Sequence, residues 1–401
     1  MTLPRRLEAS WLAAPETMAV IEALGRENAR FVGGAVRDSL LARPVKDIDI
    51  ATPLPPGEVM RRVAAAGLKA IPTGIDHGTV TVVSDHRPFE VTTLRRDVET
   101  FGRRARVAFT DDWQADAARR DFTMNALYAD LRGRLHDYFG GLDDLEAGRV
   151  RFIGDPEERI IEDALRILRF FRFHAHYGRD PLDPAGLAAC TAARDRLDLL
   201  SIERVRDEIL KLLAAPDPVP ALEAMKGTGI LALVLPEAGG FEALRRLITV
   251  ERALDDADPL RRLAVLVGLD PVRLDRLARR LRLSNRQRAR LVAMAGEVPA
   301  PESRALRASA YRFGSGTTRD RILLAADPVD LAAVRAALAE LERFSPPRFP
   351  LTGRDLVAAG HRPGPALGAA LKSLEERWIA SDFRLAKAEL LKQAARMDES
   401  R

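Results

Sequence analysis

The sequence is poor in residues that staple a fold or bind soft metals. Its 401 residues include one cysteine, Cys190, which excludes an intrachain disulfide framework and a zinc site built from cysteines. There are six histidines, and after His176 only His361 remains. A phosphohydrolase centre built on paired His-Asp metal ligands therefore cannot be assembled in the later part of the chain. Aromatics are only 5%, so the core must be mostly aliphatic. Long apolar runs are missing as well. Stretches such as Ile230 to Leu235 are far too short to span a bilayer, and Arg5 and Arg6 are followed by no apolar segment that could act as a leader. These absences predict a cytoplasmic protein that meets no membrane.

What is present fits a globular enzyme of several modules. Hydrophobic residues make up 47% and charged residues 30%, a soluble composition, and the length predicts two to four modules. The net charge of +5 and pI of about 9.6 are compatible with a polyanionic partner but do not require one. Strand-like runs occur at 48–51, 79–83, 89–94 and 127–129, separated by Gly, Pro and Asp. From about Pro156 onward the pattern is helical, with Leu and Ala spaced by three and four and many Arg between them. Breaks fall near Pro216–Pro220, Pro259, Pro299–Pro301 and Ser345–Pro350. The reading is an α+β module followed by three helical ones.

Chemistry concentrates in four blocks. The first is Phe31-Val32-Gly33-Gly34-Ala35-Val36-Arg37-Asp38, followed by Lys46-Asp47-Ile48-Asp49-Ile50. Gly33 and Gly34 remove side chains where a phosphate can approach a helix start, and Arg37, one turn in, is placed to meet the same phosphates. Asp47 and Asp49 alternate along a strand, so both carboxylates point to one face. Two such acids repel unless a cation lies between them, and Mg²⁺ suits an oxygen-rich site. Alone, an Asp-x-Asp is read as a strand surface; joined to the Gly-Gly/Arg element, it reads as a metal and phosphate site. The second block, Arg119-Arg120-Asp121-Phe122-Thr123-Met124-Asn125-Ala126-Leu127, offers cations for a triphosphate, with Asp121 and Asn125 for a ribose. The third, Asp137-Tyr138-Phe139-Gly140-Gly141, reads as a flexing joint or as a strand-ending turn. The fourth, Glu162-Asp163-Ala164-Leu165-Arg166-Ile167-Leu168-Arg169-Phe170-Phe171-Arg172, is predicted to lie on one helix. There Asp163 and Arg166 stand one turn apart, either as a surface ion pair or as an acceptor and donor that meet a base edge.

In order and content these blocks resemble the class II polymerase-β-like nucleotidyltransferases, the bacterial CCA-adding enzymes and poly(A) polymerases. The resemblance is specific over residues 31–172 and looser beyond. It implies a nucleotidyltransferase head with a small mixed β-sheet at 1–150 and an all-α neck at 151–215 that recognises the base. A helical, RNA-binding body at 216–340 and a tRNA-binding tail at 341–401 would follow. It implies that Asp47 and Asp49 hold two Mg²⁺ ions, with Glu90 as the candidate third carboxylate; a solvent-facing strand residue is the alternative for Glu90. Asp163 and Arg166 would read the incoming CTP or ATP, with Arg169 and Arg172 assisting, although spacing by three carries Arg172 away from Asp163. The segment Ser201-Ile202-Glu203-Arg204-Val205 through Glu208 and Lys211 reads as a capped helix similar to the family's fifth motif, with a structural job. The run from Arg276 to Arg290, with Ser284 as its cap, reads either as a tRNA-facing surface or as a solvated arginine face. Leu351 to Leu356 and the stretch from Gly360 to Gly368 look like the closing segment of bacterial members.

Three rival functions remain to be separated. Bacterial poly(A) polymerases typically carry a basic Gly-Arg-Arg-Phe-like strand after the metal motif; here Pro72 to Val80, with His77 at its turn, is similar to the CCA-adding version. Relatives that add only CC have shortened the loop before the second block, whereas Arg95 to Ala118 is long and polar. An inactive RNA-binding scaffold should have lost some of Asp47, Asp49, Asp121 and Asp163, and all are present. The expected activity is therefore addition of C, C and A to tRNA 3′ ends from CTP and ATP, with no stable protein partner.

Overall fold

β-Branched residues concentrate in the first third of the chain. There the computed structural model, which describes residues 3–101, 104–300 and 302–399, places its strands: β1 Arg30–Val32, β2 Asp49–Thr52, β3 Lys69–Gly74, β4 Thr79–Ser84, β5 Arg87–Thr93, β6 Arg95–Phe101, β7 Arg104–Phe109, β8 Leu127–Ala129 and β9 Leu135–Asp137. Seven of them form one sheet in the order β3-β4-β5-β2-β1-β8-β9. β2 and β5 pair in parallel and the other neighbours antiparallel, so the sheet is mixed, as the family resemblance implied. A parallel pair needs a long crossover, which the helix Pro56–Ala65 and the hairpin β3–β4 supply. That helix starts with proline and buries Val59 and Val63, four residues apart. In β4 the buried residues alternate as Val80, Val82 and Ser84, the period of a half-buried strand.

Two registers position the first motif. Val32 of β1 lies opposite Asp49 of β2, and Asp49 lies beside Glu90 of β5. β1 ends at Val32, and Gly33, at φ +70°, opens the helix Gly34–Leu40, a backbone conformation that a side chain would strain. Strand β2 begins at Asp49, one residue later than predicted, and Asp47 precedes it. The alternation still holds: Ile48 and Ile50 are buried, Asp47 is exposed and Asp49 half-buried.

The expected long loop from Arg95 to Ala118 is largely ordered. β6 and β7 pair antiparallel from Arg95↔Phe109 to Phe101↔Arg104 as a separate two-stranded ribbon, and the helix Trp113–Ala118 follows, capped by Asp112. Gly102, read as an interruption of that loop, lies outside the described residues. The joint at Asp137–Gly141 is a capped, close-packed turn. Asp137 accepts from the backbone N–H of Phe139, Gly141 and Leu142, and a Cβ at Gly141 would lie 2.3 Å from the Thr123 carbonyl oxygen.

Contacts divide the chain into the units Met1–Pro236 and Glu237–Arg401. In the first, the helices Pro156–Glu162, Leu165–Tyr177 and Ile202–Leu213 follow the sheet. Phe122 packs on Phe152 and Phe173 at ring-centroid distances of 4.9 and 5.1 Å, and Phe152 stacks on Phe170 at 5.6 Å. This aromatic cluster fixes the second block against the helix Leu165–Tyr177. Every regular element among the second unit's described residues is a helix. Its core joins Val250, Leu306, Leu323 and Leu338, and another cluster gathers around Leu356, Leu374, Trp378 and Leu390. Among the described residues no helix is long and apolar enough to cross a membrane.

Candidate nucleotide-binding cleft

The first unit holds a cleft of about 520 Å³, walled by Gly33, Gly34, Arg37, Asp49, Arg120, Asp121, Asn125, Asp163, Leu165, Arg166, Arg169, Phe173 and Arg204. Residues drawn from 33 to 204 thus converge on one space. Of the sequence-predicted residues, Asp47, Glu90, Arg119 and Arg172 are not among those walls.

At the sheet end, Asp49 is half-buried beside Glu90. Burial first, then the neighbouring Glu90 and Asp47 charges, push its pKa from 3.8 up to about 6, against the pull of Arg120. A carboxylate held where its charge is disfavoured is suited to meet a cation. Among the described residues no group of three or more His, Cys, Asp and Glu side chains could hold a metal ion, so they offer no all-protein cage. Mg²⁺ does not need one, because it usually takes one or two carboxylates and fills its octahedron with waters and substrate phosphates. The oxygen donors Asp47 and Asp49 fit that mode of binding.

The second block is organised by a residue that the motif reading missed. Asp116 is 1% exposed and accepts from Arg119 (2.6 Å), Arg120 (3.1 Å), the Tyr128 hydroxyl (2.6 Å) and the Arg95 backbone N–H (3.2 Å). Burial opposes its charge, but Arg120 and Arg119 outweigh it and hold the pKa at about 2. Arg120 is thereby aimed into the cleft, while Arg119 turns to Asp116 and the Arg95 carbonyl. The signal was present in the sequence: an acid three and four residues ahead of two arginines on a helical segment.

A second network runs across the cleft floor. Arg37, 6% exposed, donates to Asn125 (2.5 Å), Asp38 (3.0 Å) and the Tyr177 hydroxyl (2.7 Å), and its guanidinium lies 4.1 Å from the Tyr177 ring centroid. Asn125 donates to Asp121 (2.9 Å), which also accepts from the Phe122 N–H (2.9 Å) and from Arg169 (2.7 Å). Although burial opposes it, Arg169 and these hydrogen bonds hold the Asp121 pKa below its ordinary value. With a further contact from Arg169 at 2.5 Å, the four lone-pair sites of Asp121 are all taken. Asp121 therefore orients Asn125 and Arg169.

The fourth block departs from the single predicted helix. Asp163 ends the helix Pro156–Glu162 in an extended conformation, φ −151° and ψ 107°, and the next helix starts at Leu165. No ion pair joins Asp163 to Arg166 among the described residues. Asp163 instead accepts from the Leu165 N–H (3.1 Å) and from Arg204 (2.7 Å). Arg166 is bound to Glu162 (2.5 Å) and to the carbonyls of Arg159 (2.9 Å) and Arg119 (3.0 Å). Arg172 pairs with Glu208 at 2.6 Å, away from the cleft walls. Arg204 had been read as part of a capped, structural helix in the segment that begins at Ser201. Ser201 makes no side-chain cap bond, and Arg204 is a cleft residue.

Residues 29–151 match the model described as the poly A polymerase head domain, and residues 181–239 the one described as a probable RNA- and SrmB-binding site of polymerase A. The chain is 34% identical to the CCA-adding enzyme of Limosilactobacillus fermentum over 98% of its own length and 99% of that protein's. The chain belongs to the CCA-adding enzyme family. It is also 34% identical to the mitochondrial CCA tRNA nucleotidyltransferase 1 of Danio rerio, over 90% of this chain and 86% of that one. The crystal structure of the Bacillus stearothermophilus CCA-adding enzyme in complex with CTP superposes with a TM-score of 0.80. It is 29% identical, over 96% of this chain and 97% of that one. The mixed sheet and helical remainder are thus the architecture of the CCA-adding family.

Proposed function

We infer that this chain adds C, C and A in succession to the 3′ end of tRNA from CTP and ATP, releasing pyrophosphate. The observation that carries the reading is a cleft in which acidic, phosphate-meeting and base-meeting side chains converge, in a chain matching CCA-adding relatives along nearly their whole length.

Asp47 and Asp49 would hold the two Mg²⁺ ions. Such ions supply charge neutralisation at the triphosphate and activation of the RNA 3′-hydroxyl. Glu90, adjacent to Asp49 in register, is the candidate third carboxylate. Gly33 and Gly34 leave the helix N-terminus open to phosphate, and Arg120, held by Asp116 and Tyr128, faces the same space. Arg37 and Asp121 act by bracing Asn125 and Arg169, which present the remaining donors to the sugar and phosphates. Asp163, one of the cleft walls, would meet the base of a nucleotide seated on those phosphates. The body and tail would carry the tRNA. With one buried cysteine, the chain suits a reducing compartment, and we read it as cytoplasmic.

The test uses tRNA lacking its terminal CCA, incubated with CTP and ATP singly and together. Two additions with CTP alone and three with both, then a stop, are expected. A long A tail would make the chain a poly(A) polymerase, the activity for which its head model is described.

A further inference from the structure

A second pocket, of about 300 Å³, adjoins the nucleotide cleft and shares Asp163 and Arg204 with it. Its other walls come mainly from the end of the helix Pro156–Glu162 and from residues 196–201, which lead into the helix Ile202–Leu213. Two of its residues are large apolar side chains open to solvent: Ile161 is 58% exposed and Leu199 73%. One exposed leucine is ordinary, but two such side chains on a single pocket form an apolar contact surface. Charge in the pocket is unbalanced. Glu162 is bound to Arg159 and Arg166, and Asp163 to Arg204. Arg196 has no acid partner among the described residues. One of its terminal nitrogens donates to the Ile161 carbonyl at 3.2 Å, and its Nε is buried with no hydrogen-bond partner. A buried donor left in that state favours an acceptor brought from outside. Ser201, also a pocket residue, starts the twelve-residue helix Ile202–Leu213, and its hydroxyl caps no backbone N–H. The positive end of that helix therefore adds to the guanidinium.

A cation with unspent donors beside an apolar surface has the chemistry that takes one unpaired nucleotide, phosphate on the arginine and base on the aliphatic side chains. Continuity with the cleft decides between a free nucleotide and a strand. The RNA 3′-hydroxyl must reach the α-phosphate of the nucleotide held in the cleft, so the last, unpaired nucleotides of the strand run beside it. We propose that this pocket receives an unpaired nucleotide of the RNA 3′ end, its base against Ile161 and Leu199 and its phosphate on Arg196. The contact is blind to base identity and holds the strand in place. This rests on the reading of the cleft as the CTP and ATP site.

The experiment measures equilibrium binding of tRNA ending in CC and of the same tRNA trimmed back to its last base pair. Wild type is expected to bind the CC-ended RNA more tightly. The double variant Ile161→Ser with Leu199→Ser should lose about tenfold of that preference, the order expected when a base no longer covers a leucine-sized side chain. It should bind the trimmed RNA as wild type does. Arg196→Gln should lower the slope of log K against log salt by about 0.7 on the CC-ended RNA, the value of one phosphate on a single strand. Arg196→Lys keeps the charge and should restore the slope. Thermal melting confirms that each variant is folded, and CTP binding without RNA should be unchanged in all of them. Equal losses on both RNAs, or a wild-type preference in the folded double variant, would overturn the proposal. So would weakened CTP binding, which would make the pocket part of the nucleotide cleft. If wild type shows the preference for the CC-ended RNA but extends no tRNA with CTP and ATP, the proposed function fails and the pocket's role stands on the binding arm.

Discussion

Burial disfavours the charge of both Asp49 and Asp116, but the neighbouring arginines reverse the outcome only at Asp116. Asp49 lies beside Glu90 with its pKa raised from 3.8 to about 6, so its ionisation costs folding free energy that is absent below the unfolded pKa and grows as pH rises through 6. Asp49→Asn should therefore stabilise the chain at pH 8 and not at pH 4, by at most about 3 kcal/mol from a shift of this size. Mg²⁺ should raise the wild-type melting temperature at pH 8 and leave that of the variant unmoved, while the variant loses nucleotide transfer. A variant that melts like wild type at both pH values would refute the account of Asp49. Asp116 is the reverse case: its pKa is held at about 2, so the stability it contributes is present above pH 4 and lost as pH falls toward 2. Asp116→Ala strands two arginines and a tyrosine, and should cost about 3–5 kcal/mol, the range for breaking a buried ion pair. Asp116→Asn keeps an acceptor, so it should fold but release the aim of Arg120. Its KM for CTP should rise about tenfold, roughly the value of one charge-assisted hydrogen bond. An unchanged KM in the folded Asn variant would show that Asp116 only props the head.

At the scale of elements, the ribbon β6–β7 is the test case. It forms a sheet of its own, and its root is tied to the head through the Arg95 N–H on Asp116 and the Arg95 guanidinium on the His77 carbonyl. Replacing residues 97–107 by a two-residue turn should leave the seven-stranded sheet intact and shift the melting temperature little. If the ribbon resets the cleft after two C additions, the shortened chain should still add CC and fail at the terminal A; product sizing on tRNA ending in CC reads this directly. Equal loss of C and A addition would assign the ribbon no role in that switch. The sequence hid this ribbon because its few apolar residues, such as Val98, Phe101 and Val107, are separated by charged ones and keep no period of two. Elements that sit on strict local patterns were more legible: the alternation of Asp47 and Asp49 about Ile48 reads from period two, and Pro156 was read as the onset of the helical pattern and Pro259 as a break. In the structure the helices after Asp155, Asp258 and Asp270 each start with an N-cap followed by proline. The break at Asp163 was not legible, since no Gly or Pro interrupts the helical pattern from Glu162 to Arg166. Nor could local spacing pair Asp163 with Arg204, because only the packing of Leu165–Tyr177 against Ile202–Leu213 brings them together.

For the whole molecule, the excess of positive charge has to be located before it can explain RNA binding. The second unit spends much of its arginine on its own acids. Arg261, 1% exposed, binds Glu251, Asp256 and Asp320, and Arg290 binds Asp258 and Asp320. Along the cationic run, Arg279 and Arg288 share Asp275, and Ser284 caps the second helix in a capping box with Gln287. Arg276 and Arg286 are different. Both are exposed and have no ion-pair partner among the described residues, so they are the members of the run free to meet phosphates. If this surface carries tRNA, Arg276→Ala with Arg286→Ala should weaken tRNA binding and reduce the slope of log K against log salt by about 1–2, since each lost phosphate contact removes slightly less than one released counterion. KM for CTP, measured at saturating tRNA, should not change, because neither residue lines the cleft. The pair Arg279→Ala with Arg288→Ala serves as the control. It removes the same formal charge from arginines already engaged with Asp275, and should alter the salt slope less. If both double variants lower the slope equally, net charge alone attracts the tRNA and the run is not a docking surface; if neither does, the tRNA lies elsewhere on the chain.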